Sequence, residues 1–457
     1  MVSVSGVRGR VGEALTPEIV SRFAAGFGAW AKAKWSVGRR VSERCRVVVG
    51  RDSRVSGPMF HRATIAALQS VGCDVIDVGL APTPSIQLAV EHHRAAGGLA
   101  ITASHNPIEW NALKFIGPSG LFLDGAEGTE MRGVVESTIP RASWDALGEV
   151  QSDSQAIERH LDAVLSLPFV NVDAIRKRKF RVALDGAHGA GGAIIPELLR
   201  RLGCEMHAIG LETDGRFTRS PEPVASNLGD LERLVLETKA EVGLATDPDV
   251  DRLALVSDQG TAIGEDWTLA LAARLVLRYR RGPVVANLST SRIVDDVAKE
   301  AGAYVVRAPV GEVNVAVRMR TEGAAIGGEG NGGVILSEVH LGRDAPVGVA
   351  LLLQMLLEDN APLSAVVARY PRYVIVKDKL DRPNAPLDAV YDALRQGFTD
   401  AEADTQDGLR LSWVDRWVHV RPSGTEPIVR VIAEAPNAAA ARELVTRSRV
   451  PLDALGR

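Results

Sequence analysis

Three times along the chain, a run of apolar residues is followed by an amphipathic stretch, a glycine and a second short apolar run. RVVVGRD (Arg46–Asp52) leads to a stretch ending in ALQSVG at Gly72, and CDVIDVG follows. RVALDG (Arg181–Gly186) leads to IIPELLRRLG, ending at Gly203, and then CEMHAIG. PVVANLS (Pro283–Ser289) leads to IVDDVAKEAG, ending at Gly302, and then AYVVRAPVG. Each copy predicts a buried-type strand, a helix at 3.6-residue spacing, a glycine C-cap and another short strand. Strands alternating with helices predict α/β layers with mixed or parallel sheets. Recurrence at separations of roughly 100 to 130 residues predicts three similar α/β mixed-sheet domains, not a short-period solenoid.

After about Tyr370 the pattern changes. RYVIVKDKL, LRLSWVDRWVHVR and VRVIAEA read as strands set close together, and one Ala-rich helix follows from about Asn437 to Thr446. This predicts a C-terminal α+β domain with an antiparallel sheet. The expected domains are therefore 1–150, 151–258, 259–370 and 371–457. A chain of 457 residues carries about three domains by length alone, with two to four in range.

Composition narrows the class without naming a chemistry. Apolar residues at 46% and charged ones at 24% are ordinary for a globular protein with ample core. A net charge of -4 argues against a general nucleic-acid-binding surface. MVSVSGVRGR has no signal-peptide core, and no run of about 18 uncharged apolar residues occurs, so a cytoplasmic protein with no membrane partner is expected. Cys45, Cys73 and Cys204 lie far apart in sequence without metal-ligand spacing and read as buried spectators.

The chemistry concentrates in four short segments. DPDVDR (Asp247–Arg252) sets Asp247, Asp249 and Asp251 between two apolar runs. Carboxylates so close repel one another unless a cation sits among them, and an all-oxygen set selects a hard ion, Mg²⁺ or Ca²⁺. An extended loop with a two-residue period would aim all three one way, and Pro248 stiffens it. An EF-hand is not expected: Arg252 holds its sixth position, Asp258 its twelfth, and strands flank it. TASHNP (Thr102–Pro107) offers the Ser104 hydroxyl on a loop, with Lys114 in WNALKF close behind for moving protons. A hydroxyl beside a Mg²⁺ site points to phosphoryl transfer. RPSGTEPIVRV (Arg421–Val431) offers Arg421, Ser423, Gly424, Thr425 and Arg430 to an oxyanion, although no Walker loop is present. AAIGGEGNGG (Ala324–Gly333) carries Glu329 and Asn331, which suit sugar hydroxyls, in a glycine-rich loop. No dinucleotide fingerprint is matched in a strand–turn–helix context, so NAD is not expected.

In this order, SGVRG near Ser5, GRDSRVSG at Gly50, TASHNP, DPDVDR, GGEGNGG and RPSGTEP resemble the α-D-phosphohexomutase superfamily over nearly the whole chain. The resemblance implies three related α/β domains and a C-terminal domain closing a central cleft. It implies that Ser104 carries a phosphoryl group and that Mg²⁺ binds that group with Asp247, Asp249 and Asp251. Ser104 would phosphorylate a hexose monophosphate, and the bound 1,6-bisphosphate would turn over and return its other phosphoryl group. Lys114 and His105 would give acid–base help and charge stabilisation, with Arg8 and Arg252 lining the cleft. The Glu329 loop would read the sugar, and the Arg421–Arg430 loop would hold the non-reacting phosphate.

Two departures stand out. Many members read Gly-Glu-x-Ser-Gly-His in the sugar loop, where Asn331 and Gly333 replace serine and histidine here. Pro248 stands where the metal loop usually has glycine. GGEGNGG with ASHNPxxWNALK is most similar to a branch assigned as phosphoglucosamine mutases. That branch implies a glucosamine 6-phosphate substrate, a glucose- or glucosamine-1,6-bisphosphate activator, and a monomer or homodimer. A phosphomannomutase/phosphoglucomutase and a non-catalytic sugar-phosphate-binding protein are the alternatives.

Overall fold

The computed structural model describes residues 2–3, 6–36, 44–423 and 428–455. The first sheet contains β1 (Val2–Ser3), β2 (Gly6–Arg10), β3 (Arg46–Arg51), β4 (Asp74–Leu80), β5 (Gly97–Ile101), β6 (Trp110–Ile116) and β7 (Val150–Ser152), in the order β1-β2-β6-β5-β3-β4-β7. The second contains β8 (Arg181–Asp185), β9 (Glu205–Ile209), β10 (Val242–Thr246) and β11 (Leu253–Ser257), in the order β11-β10-β8-β9. The third contains β12 (Val284–Asn287), β13 (Val305–Ala308), β14 (Ile326–Glu329) and β15 (Gly333–Leu336), in the order β13-β12-β14-β15.

One four-strand pattern runs through all three. A central strand (β3, β8 or β12) has a parallel neighbour on each side, and the last two strands form an antiparallel pair. The central runs are buried on both faces, which explains their uninterrupted apolar character. The turn between the last two strands is the 102–109 segment in the first sheet, 247–252 in the second and 330–332 in the third. Each follows the carboxyl end of a parallel strand, where open α/β sheets bind ligands.

The fourth sheet is antiparallel: β16 (Val374–Asp381), β17 (Glu402–Asp404), β18 (Leu409–Ser412), β19 (Trp417–Pro422) and β20 (Ile428–Ala435), in the order β16-β20-β19-β18-β17. Its helices differ from the sequence expectation. A helix at Leu387–Gly397 accompanies the Ala-rich one, which runs through Pro451 to Leu455.

The second and third sheets share one apolar core. It joins Leu184, Leu198 and Leu244 to Leu271, Leu352 and Val366. The helix Ala345–Asp359, apolar nearly all round, packs both on the helix Asp266–Tyr279 and on the helices Ala156–Leu165 and Val172–Arg178. The fourth sheet and its helices have a core of their own. Cys45 and Cys73, distant in sequence, meet just before the neighbouring strands β3 and β4 with sulfurs 3.7 Å apart, and Cys204 is only partly buried.

Candidate active site

The turn after β5 holds Ser104 in a left-handed conformation, φ 49°, which few residues other than glycine adopt. A buried arginine sustains it. Arg54 is fully enclosed and donates to the carbonyls of Ser104, Asn106, Pro107 and Trp110, while its Nε bonds Asp52. Asp52 accepts from Thr102 Oγ1, and that oxygen accepts the Ser104 N–H at 2.9 Å. Five guanidinium donors are thereby spent on holding one turn. Arg54 was given no role from sequence; its position in RDSRVSG, just past a buried strand, was the available signal.

The DPDVDR segment is a turn and not the extended loop expected from its two-residue period. Val250, a buried β-branched residue, takes φ 65°. That is a strained conformation, and it is this reversal that gathers the carboxylates. One oxygen from each of Asp247, Asp249 and Asp251 lies within 4.8 Å of the others.

The two turns meet. Ser104 Oγ donates to Asp247 Oδ2 at 2.8 Å, across a sequence separation of 143. Lys114, on the interior strand β6 and not at an edge, donates to Asp249 Oδ2 at 2.7 Å and stands 3.6 Å from Asp251. Thr83 Oγ1 donates to the same Asp249 oxygen at 2.8 Å. Asp249 Oδ1 and Asp251 Oδ1 are buried without any hydrogen-bond partner among the described residues. Orphaned, converging carboxylate oxygens fit a hard divalent cation, so the donor set suits Mg²⁺.

Burial works against every charge here, and the ion pairs decide the outcome. Burial and the neighbouring Asp251 and Asp249 push the Asp247 carboxyl well above the usual range. Against the same burial, Lys114 holds Asp249 below it, and Arg343 does so for Asp251. Lys114 is likewise raised despite burial, by Asp249 and Asp251, and so stays a cation. Burial, then Arg252 and Arg8, press the His105 imidazole down to about 2, so it is neutral, with Nδ1 3.4 Å from Ser104 Oγ.

A cleft of ≈ 710 Å³ opens beside this pair of turns, with Arg8, Ser104, His105 and Lys114 on one wall. Arg8 donates to Asn106 Oδ1 at 2.8 Å. Arg252 stands 3.7 Å from both Asp251 and Glu222. Glu329 and Asn331 line the cleft from the third sheet, but the Glu329 carboxylate is already engaged. It accepts from Asn287 Nδ2 at 2.7 Å, from the Gly311 N–H at 3.0 Å and from Arg343. Arg343, another residue missed in sequence, also bonds Asp251 at 2.6 Å and pairs with Glu312 at 3.1 Å. It stands where residue 333 would need room: a Cβ on Gly333 would lie 2.2 Å from its Cδ.

From the fourth sheet, Arg421 and Arg430 reach the cleft from directly opposed positions on β19 and β20. Like charges so placed repel, an arrangement that suits an anion between them. The Ser423 N–H donates to Ile428 O at 2.9 Å. Gly424 and Thr425 lie outside the described residues.

Family comparison agrees with this architecture domain by domain. The alpha/beta/alpha domains I, II and III of phosphoglucomutase/phosphomannomutase match residues 2–139, 158–260 and 264–373, and the C-terminal domain matches 373–449. The chain belongs to this family. It is a phosphohexomutase, an isomerase that moves a phosphoryl group within a hexose phosphate. Over 96% of its length it is 37% identical to a probable phosphoglucosamine mutase of Methanopyrus kandleri, covering 95% of that protein. It is 39% identical, with the same coverages, to a phosphoglucomutase/phosphomannomutase of Thermococcus kodakarensis. Among solved structures, a phosphoglucomutase/phosphomannomutase family protein from Burkholderia thailandensis superimposes with a TM-score of 0.85 at 27% identity, covering 99% of this chain and 97% of that one. No helix among the described residues is long and apolar enough to cross a membrane.

Proposed function

We propose that this phosphohexomutase interconverts glucosamine 6-phosphate and glucosamine 1-phosphate through a phosphoryl group carried on Ser104. The supporting observation is the 2.8 Å contact between Ser104 Oγ and a buried carboxylate triad whose orphaned oxygens suit a cation. Asp247, Asp249 and Asp251 would hold Mg²⁺, which would offset charge on the transferring phosphoryl oxygens. Lys114, kept ionised in place, adds positive charge at the same point. In the first half-reaction the P–O bond to Ser104 Oγ breaks and one forms to the sugar hydroxyl, whose proton passes to a neutral base. His105, its Nδ1 3.4 Å from Ser104 Oγ, would pass that proton on to the departing serine oxygen, since an imidazole held so low does not keep it. The second half-reaction runs in reverse, with the other phosphate on Ser104. Arg421 and Arg430 hold whichever phosphate is not reacting, so one anion cradle serves both halves.

The amino sugar is favoured by the GGEGNGG and ASHNPxxWNALK segments, which are most similar to a branch assigned as phosphoglucosamine mutases. It is also the substrate in the name of the Methanopyrus kandleri relative. The Thermococcus kodakarensis relative, at 39% identity, favours a glucose or mannose phosphate as the second reading. Turnover of glucosamine, glucose and mannose 6-phosphates, each with its 1,6-bisphosphate as activator, decides between them. The highest kcat/KM is expected for glucosamine 6-phosphate; a higher value for either neutral sugar overturns the amino-sugar assignment.

A further inference from the structure

Asp407 lies in the turn between β17 and β18, outside every motif read from the sequence, yet it touches both sides of the cleft. Its Oδ2 accepts from Arg421 Nε at 2.8 Å and from the Val310 N–H at 3.0 Å. Its own carbonyl accepts from His419 Nε2 at 2.6 Å, and His419 Nδ1 accepts from Ser289 Oγ at 2.8 Å. One residue of the C-terminal domain thus grips the anion-cradle arginine while resting on the third domain. The neighbouring Gly408, at φ 77°, brings the turn against β19: a Cβ there would lie 2.4 Å from Val420 O and 2.9 Å from Arg421 Cα.

We propose that Asp407 is a positioning residue that fixes the Arg421 guanidinium for phosphate and makes that orientation depend on the C-terminal domain being docked on Val310. With Nε on Asp407, both Nη groups of Arg421, which have no partner among the described residues, are left for a bidentate grip on an anion. Swinging the domain away would part Asp407 from Val310. The contact is also one link in a longer series. Next to Val310, the Gly311 N–H donates to Glu329, Glu329 is bonded to Arg343, and Arg343 reaches Asp251 of the carboxylate triad. Anion capture at one end of the cleft is thereby joined by direct contacts to the carboxylates at the other.

The inference rests on reading Arg421 as part of the anion cradle, so the experiment tests the two separately. KM and kcat are measured for Arg421→Ala, Asp407→Ala, Asp407→Asn and the double alanine variant, with whichever of the three hexose 6-phosphates turns over best. Asp407→Ala is expected to raise KM at least about tenfold with kcat changed by less than about threefold, since an orienting contact acts on ground and transition states alike. Asp407→Asn, which keeps an acceptor for Arg421 Nε, should fall between it and the parent. The double variant should be no worse than Arg421→Ala alone, because the two residues act as one unit. If Arg421→Ala leaves KM unchanged, the cradle reading fails and this proposal with it. If Arg421→Ala raises KM while Asp407→Ala does not, or the two effects multiply, only the role of Asp407 is overturned. Loss of a cooperative thermal transition in both Asp407 variants would make the residue a scaffold and overturn it equally.

Discussion

Ser104 occupies a backbone conformation that costs roughly 1 kcal/mol or more for an L-residue, and a fully buried arginine is committed to keeping it there. Such strain is retained where a side chain must be aimed, and here it aims Oγ at Asp247. Ser104→Ala is therefore expected to lower turnover by at least about 10³-fold, as for loss of a nucleophile. Its unfolding midpoint should stay within a few degrees of the parent in a thermal melt. The carboxylates make a different prediction. A ligand bound only to the folded state adds about 2.7 kcal/mol at a hundredfold excess over Kd. Mg²⁺ should therefore raise the parent's melting temperature by several degrees, in Ser104→Ala as well, because all three aspartates remain. Asp249→Asn should lose most of that rise, and an undiminished shift would remove the triad as the ion site. These residues were legible in sequence because their types are improbable at such density between apolar runs. Arg54 and Arg343 were not: a single arginine in a loop carries no sign of which distant carbonyls or carboxylates it will reach.

At the scale of the element, each of the three α/β units presents its chemistry on the turn of its final antiparallel pair. The strand–helix–strand repeat was readable because a strand buried on both faces must be apolar throughout. The turns were read correctly as loops but not in shape. Nothing in DPDVDR announces that Val250 adopts a left-handed conformation, since β-branched residues are the least suited to it. The sugar loop shows how a departure from the family pattern is absorbed. Gly333 stands where many relatives place histidine, and the room that a side chain would need is taken by Arg343. Both Nη groups of Arg343 are committed to Asp251 and Glu329, so it cannot simply swing aside. Restoring the family residue with Gly333→His should thus destabilise the protein by about 1–3 kcal/mol, the range for an overfilled core site. Activity should fall more than about tenfold as the Arg343 bridges break. A Gly333→His variant as stable and as active as the parent would show that Arg343 yields without cost.

For the whole molecule, the relevant contrast is between what is fused and what is docked. The second and third domains share a continuous core, whereas the C-terminal domain has a separate one and meets the third through polar contacts such as Arg292 N–H to Glu434 and Ser289 to His419. Sequence patterning distinguished the C-terminal domain by its strands but carried no trace of its docking, which is made by isolated polar residues on several elements. His419 gives that docking a pH dependence. Burial is the largest influence on it; Asp407 then favours the charged form and Arg421 and Arg410 oppose it, leaving the imidazole at about 4, below its ordinary 6.5. A folded-state value depressed in this way contributes stability that is fully present above about pH 6.5. It is lost progressively as the pH falls towards 4, where the docked ring must take up a proton. Below that range the Nδ1 acceptor for Ser289 Oγ is gone and a buried charge sits near two arginines. Backbone amides of β18 and β19 should therefore lose hydrogen-exchange protection between pH 6.5 and 4.5 before those of β8 and β12 do. His419→Gln, which cannot be protonated, should flatten the difference. Equal acid sensitivity of the two sets of strands, or a variant that still loosens with the parent's pH profile, would assign the effect to other carboxylates and leave His419 as packing alone.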